Sequence, residues 1–189
     1  MSKRINLNKI TFDGTNDHIE VPNSNVRFTF SDAASDKPFS ITAWVRVNDI
    51  ASDSGAIITK SDFSKQDENG HGNATEWFLQ HAQGSIKFFL YDSPPATSKY
   101  LRISTDAAVV QDNVWALVAA TYDGSAQISG LSIYKFDGSA NDGAPPSTAT
   151  TDNYTKMTTA TEADITIGAT QEIDADAVKR NERLFEGAL

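Results

Sequence analysis

The chain has 189 residues, a formal net charge of −9, a pI ≈ 4.7 and no cysteine. At this length roughly 70% of the unfolded surface is buried in a single domain, so the whole chain, 1–189, reads as one unit held by packing. The missing cysteines exclude disulfides, thiolate metal sites and thiol nucleophiles, and acidity spread along the chain argues against a nucleic-acid partner.

The N-terminus, MSKRINLNKITFDG, starts basic but has no apolar run of signal-peptide length, and no stretch approaches a membrane span. The expectation is a product made in the cytosol without a membrane partner. Ile10–Phe12 and His18–Val21 flank the turn formers Asp13-Gly14-Thr15-Asn16-Asp17 and predict a short opening hairpin. Val26, Phe28 and Phe30 then alternate, and Ser31–Lys37 is a polar loop closed by Pro38. From Phe39 to Val47 the alternation is clearest: Phe39, Ile41, Ala43, Val45 and Val47 face inward, with Ser40, Thr42, Trp44 and Arg46 opposite.

Gly55–Lys60 predicts a short strand, and the polar stretch 61–75 after it predicts a long loop. Glu76–His81 and Ser85–Asp92 form a predicted hairpin with Gln83-Gly84 at its tip. Tyr100–Thr105 is a further strand with Leu101 and Ile103 inward. The longest patterned stretch runs from Asn113 to Phe136. Between Val114 and Tyr122 apolar residues fall on both alternation sets, which predicts a strand covered on both faces, and after the turn Asp123-Gly124-Ser125 a second strand puts Leu131, Ile133 and Lys135 on one side. Residues 138–161 are rich in Gly, Pro, Ser and Thr and read as an extended surface excursion. Ala163–Ala169 is a strand, Gln171–Arg183 a charged connection with room for a helical turn, and Leu184–Leu189 begins a last strand. About ten short strands and no long amphipathic helix define an all-β antiparallel sandwich of jelly-roll type.

Taken together, ITFDGTNDHIEVP (10–22), FSITAWVRV (39–47), GAIITKSD (55–62), WFLQ (77–80), VWALVAATYDGS (114–125), LSIYKFDG (131–138), ITIGA (165–169) and FEGAL (185–189) resemble the laminin-G-like, concanavalin A-like lectin/glucanase jelly rolls. Members of that family usually continue after the FEGAL-like segment. The resemblance therefore implies a final strand that is missing from this sandwich or supplied elsewhere. It also implies a lectin-like, non-enzymatic module, or a glucanase if the catalytic acids are in place.

The acids that would serve are Glu172, Asp174 and Asp176, because glucanases of the superfamily carry an E-x-D-x-E or E-x-D-x-x-E strand. Retaining hydrolysis needs two carboxyls about 5–5.5 Å apart. Here Asp176 stands where Glu is expected and the stretch runs into Val178-Lys179-Arg180 without buried flanks, so it reads as a solvated loop. His18, His71 and His81 form no H-E-x-x-H, and there is no G-x-S-x-G and no Gly-rich phosphate loop.

A binding surface has better material. Trp44, Arg46, Phe89, Tyr91, Arg102 and Tyr134 all point away from the inferred core. Aromatic rings cover the apolar faces of sugars and guanidinium groups donate paired hydrogen bonds, so these residues are candidates for a glycan site, with packing beneath a loop as the alternative. Asp67, Glu68, Asn69 and His71 would rim it. Ca²⁺, which takes six to eight oxygen ligands, has candidates in Asp13, Asn16 and Asp17 in one turn and in Asp106 and Asp112, all of which serve as turn formers too. No other cofactor is expected. The expectation is a binding or display module on a virion surface, such as a fibre, adhesin or capsid decoration, that meets a glycan or cell-surface ligand and self-associates or assembles into the particle. A purely structural decoration protein is the alternative.

Overall fold

Alternation of apolar and polar side chains makes each strand two-sided, and the chain buries its apolar sides by stacking two sheets. The computed structural model describes residues 9–22, 27–32, 34–51, 54–66, 72–92, 99–106, 109–138, 143, 147–159, 163–173, 179–182 and 184–189. The strands are β1 (Thr11–Asp13), β2 (Ile19–Val21), β3 (Phe39–Val47), β4 (Ser54–Gln66), β5 (Gly72–Ala82), β6 (Ser85–Tyr91) and β7 (Tyr100–Thr105). After them come β8 (Ala116–Tyr122), β9 (Leu131–Phe136), β10 (Ser147–Asp152), β11 (Ile165–Ile167), β12 (Thr170–Ile173), β13 (Lys179–Glu182) and β14 (Glu186–Ala188). One sheet has the order β1-β14-β3-β8-β9 and the other β10-β7-β6-β5-β4-β11-β2, while β12 and β13 form a separate ribbon. Every described pairing is antiparallel.

The expected sandwich is present, and its core lies between the sheets. Phe39, Val45 and Val47 of β3, Ala116, Val118 and Ala120 of β8, and Leu131 and Ile133 of β9 meet Leu79, Ile86, Phe88, Leu90, Leu101 and Ile103 of the larger sheet. Each fully buried Val, Leu, Ile or Phe among them contributes about 1.5–3 kcal/mol, so the core carries the stability that no cross-link supplies. Rings interlock within it: Phe30 stacks on Phe39 at 4.2 Å, and Phe39 meets Phe88 edge-on at 5.8 Å.

Several local expectations are corrected. β1 and β2 do not form a hairpin. β1 joins the smaller sheet beside β14 and β2 joins the larger beside β11, so the turn at 13–17 crosses between layers. Three-residue strands gain little from pairing with each other, whereas Phe12 is 1% exposed in the core. The alternation at 26–30 makes no strand over its described residues; Phe28 is surface and Phe30 packs inward. The polar stretch 61–75 is largely ladder, since β4 and β5 continue their pairing to Gln66↔Gly72 with register shifts. The excursion 138–161 contains β10, paired along its whole length with β7. Where a helical turn had room, over 171–183, the described residues form the β12–β13 ribbon. The FEGAL segment is itself a strand, inserted between β1 and β3, with Ile10 and Leu189 exchanging backbone hydrogen bonds at 3.1 and 3.0 Å.

Two buried polar clusters were not foreseen. The β4–β5 register steps from Lys60↔Trp77 to Ser61↔Thr75, which leaves Glu76 as an extra residue on β5. Such a bulge re-aims a side chain. Glu76 Oε1 meets Lys60 Nζ at 2.6 Å, both side chains are 0% exposed, and Nζ also donates to Thr29 Oγ1 at 2.7 Å. In the second cluster, Asp36 of the 31–37 loop accepts hydrogen bonds from Tyr122 Oη (2.6 Å), Tyr154 Oη (2.6 Å) and the Met157 amide (2.7 Å). It joins three distant segments of chain.

Candidate functional site

The inward alternation of β3, β8 and β9 forces the other half of their side chains onto the outer face of the smaller sheet. The registers place these in rows. Trp44 lies opposite Leu117, and Leu117 opposite Phe136; Thr42, Ala119 and Tyr134 form the next row, and Ser40, Thr121 and Ser132 the one after. With neighbouring strands about 4.8 Å apart, the first row spans about 10 Å from Trp44 to Phe136. Trp44 is 56% exposed and Phe136 41%, and Leu117 between them and Tyr134 in the next row are half-buried. The ladder ends at Val45↔Ala116, and Trp115, the next residue outward along the chain, is half-buried. The strand β8, expected to be covered on both faces, is therefore buried on one face only; its second apolar set belongs to this open surface.

Arg46 is held at the end of the surface. Its Nε donates to the carbonyl of Asn113 at 3.1 Å and its Nη2 to the Asn113 side-chain oxygen, while Asn113 Nδ2 donates to the Asn48 carbonyl at 3.1 Å. Asn113 has φ 59, a left-handed conformation that asparagine adopts more readily than bulkier residues. On the other side of Trp44 an apolar cleft of 190 Å³ opens between the sheets, lined by Ile41, Ala43, Ile57, Ile58, Ile167 and Leu189 together with Thr42 and Trp44. A ring standing between an apolar cleft and a row of further rings is suited to hold a flat, partly apolar ligand.

The candidates named from sequence divide between the two outer faces. Trp44, Arg46 and Tyr134 share the face just described. Phe89, Tyr91 and Arg102 lie on the outer face of the larger sheet. There Phe89 and Tyr91 stack with Phe78, at 4.3 and 5.6 Å between centroids, and Arg102 lies 5.8 Å from the Phe89 ring and 6.0 Å from that of Tyr100. Arg102 Nη2 also donates to Thr150 Oγ1 at 3.0 Å. Phe78, Phe89 and Tyr91 are 4, 9 and 8% exposed, so their faces are spent on one another. Asp67, Glu68, Asn69 and His71 lie outside the described residues, as do Asp174 and Asp176; Glu172 is in β12, in register with Arg180.

The carboxylates named for Ca²⁺ accept hydrogen bonds from the chain itself, Asp13 and Asp17 within their own turn and Asp106 and Asp112 from distant segments. Asp13 Oδ1 accepts the amides of Thr15 (2.8 Å) and Asn16 (3.2 Å), and these bonds hold its carboxyl below the usual range. Asp17 Oδ2 accepts the Asp13 amide at 3.1 Å, and the Asn16 carbonyl is 3.1 Å from His18 Nδ1. Asp106 accepts from Thr148 Oγ1 at 2.7 Å and Asp112 from the Ile50 amide at 2.7 Å. Among the described residues no three His, Cys, Asp or Glu side chains gather as a metal-binding group.

Leu117 and Phe136 belong to the surface but were not singled out from sequence. Their signal is the cross-strand register, which aligns Phe136 with Leu117 and Trp44; alternation along one strand does not reveal it.

A laminin G-type profile described as the concanavalin A-like lectin/glucanases superfamily matches residues 13–189. No curated protein matches the chain significantly. Among solved structures, the LG1–3 region of the laminin α2 chain aligns with a TM-score of 0.60 at 13% identity, over 95% of this chain and 29% of that one. Domains LG4–5 of the mouse laminin α1 chain align with a TM-score of 0.52 at 18% identity, over 94% and 39%. The ligand-binding domain of botulinum neurotoxin serotype D, in complex with N-acetylneuraminic acid, aligns with a TM-score of 0.50 at 18% identity, over 96% and 39%. This chain thus spans well under half the length of each.

Proposed function

The chain belongs to the concanavalin A-like lectin/glucanases superfamily, and from that premise we propose that it is a non-enzymatic module that binds glycans on the outer face of its smaller sheet. One observation carries the reading: Trp44 and Phe136 are exposed large rings aligned in a single cross-strand row, on a face where every residue of the two neighbouring rows except Ala119 bears a hydroxyl. Large apolar side chains on an outer sheet face cost solubility and are kept where something covers them. Sugars offer the matching surface, a flat patch of C–H groups fringed by hydroxyls. A toxin ligand-binding domain that shares the fold and holds N-acetylneuraminic acid supports a binding role.

The test is a glycan array probed with the protein and with its Trp44→Ala and Phe136→Ala variants. Both rings are exposed, so each substitution should leave stability within about 0.5 kcal/mol. Binding that disappears in both variants supports the reading; an array without signal, or a signal indifferent to both, rejects it. Display on a virion surface is a second part of the proposal, supported by an acidic, cysteine-free module whose sheet face is open to a ligand. Co-sedimentation of the protein with purified particles tests it.

A further inference from the structure

We infer that this face selects neutral, extended glycans and disfavours anionic ones, an inference that rests on the glycan-binding reading above. None of the three rows carries a charge. The one cation among the outward positions of β3, Arg46, is engaged by Asn113 through two donors. Lys135, on β9, faces the other way, 6% exposed and 2.8 Å from Asp137.

The surroundings are acidic. Asp13 and Glu186, in register on β1 and β14, occupy the outward side of the same sheet, and Asp112 and Asp123 are exposed at the two ends of β8. An anionic sugar would bring its charge towards these carboxylates, on a protein of net charge −9, with no cation in the three rows to receive it. A neutral sugar meets no such opposition, and the same carboxylates and the Ser and Thr hydroxyls accept hydrogen bonds from its hydroxyl groups. The row of about 10 Å from Trp44 to Phe136 is longer than one pyranose ring, which favours a linear stretch of several sugars over a terminal one. This separates the chain from the toxin domain of the same fold that holds N-acetylneuraminic acid.

The experiment titrates the immobilised full chain with matched pairs of oligosaccharides, a neutral gluco- or galacto-oligomer and the same oligomer bearing a carboxylate or sulfate, at about 50 and about 500 mM NaCl. The expected result is binding of a neutral oligomer that salt leaves unchanged and that Trp44→Ala weakens about tenfold, the equivalent of roughly 1.4 kcal/mol. The anionic partner should bind about tenfold more weakly at low salt, with the gap narrowing at high salt. Equal or tighter binding of the anionic oligomer, still lost in Trp44→Ala, overturns the neutral preference and leaves the glycan site standing. No binding by the folded protein, or binding that Trp44→Ala does not change, overturns the underlying reading.

Discussion

Replacing Glu76 by Leu should be among the most damaging single changes in the core, although it exchanges a charged side chain for an apolar one of similar size. At 2.6 Å the attraction between Lys60 Nζ and Glu76 Oε1 is about 6 kcal/mol at an effective dielectric of 20. Removing two ions from water costs several kcal/mol each, so the intact pair sits near balance. Once Glu76 is gone the ammonium of Lys60 remains buried without its nearest counter-charge, and the expected loss is about 3–5 kcal/mol. Burial already pushes Lys60 below the ordinary lysine range, with Glu76 and Asp164 opposing. In Glu76→Leu it falls further. The folded state then binds fewer protons than the unfolded state, so the variant should regain stability as pH rises towards the ordinary lysine value near 10.4. Lys60→Met/Glu76→Leu removes both charges and should lie within about 1 kcal/mol of the parent or above it. Urea denaturation followed by tryptophan fluorescence reads this directly, because Trp77 pairs with Lys60; at an m-value of about 2 kcal/mol/M a 4 kcal/mol loss moves the midpoint by about 2 M. A single variant that loses less than about 1 kcal/mol, or a double variant as unstable as the sum of the singles, would refute the buried-pair account.

Asp36→Ala deprives the Tyr122 and Tyr154 hydroxyls and the Met157 amide of their acceptor. At 1–3 kcal/mol per buried group the expected loss is about 3 kcal/mol or more, seen as a melting temperature lower by roughly 10 °C. Burial, followed by Asp36, holds both phenols above the ordinary tyrosine range. Above about pH 10 the unfolded chain therefore releases protons that the folded chain keeps. Stability should be full below that pH and fall above it, and urea midpoints between pH 9 and 11 should fall less steeply for Tyr154→Phe. Gly187 has φ 152, and an added Cβ would strike the Arg46 carbonyl. Gly187→Ala should cost about 2 kcal/mol or more and loosen β14 from β3, read as faster amide exchange at Ala188.

Layer architecture was legible because it depends on alternation within single strands. Phe39 to Val47 and Ser85 to Tyr91 announce their inward faces, and Gln83-Gly84, with φ 52 and 75, is the two-residue turn its chemistry predicts. Pairing between strands was less legible, since it depends on partners far away in the chain. The turn after Phe12 looks like hairpin chemistry whether its arms pair or part. Residues 147–152 lack apolar alternation, yet strand pairing with β7 needs only backbone groups. The same limit divides the candidate site. That Trp44, Arg46 and Tyr134 point outward is visible in each strand, whereas the assignment of Phe89, Tyr91 and Arg102 to the other sheet follows from sheet order. Lys60 and Glu76 were invisible because two charged residues in strands read as solvent-facing until a bulge turns them towards each other.

The three tryptophans provide the most direct test of the central claim, because they report on different places: Trp44 is exposed on the outer face, Trp115 is half-buried two residues before Leu117, and Trp77 is 2% exposed in the core with its Nε1 3.4 Å from the Phe28 carbonyl. Titration of ¹⁵N-labelled protein with a neutral oligosaccharide should shift the indole N–H signals of Trp44 and Trp115 along a saturating curve and leave that of Trp77 in place. Saturable binding with the Trp44 and Trp115 signals unmoved would contradict the account.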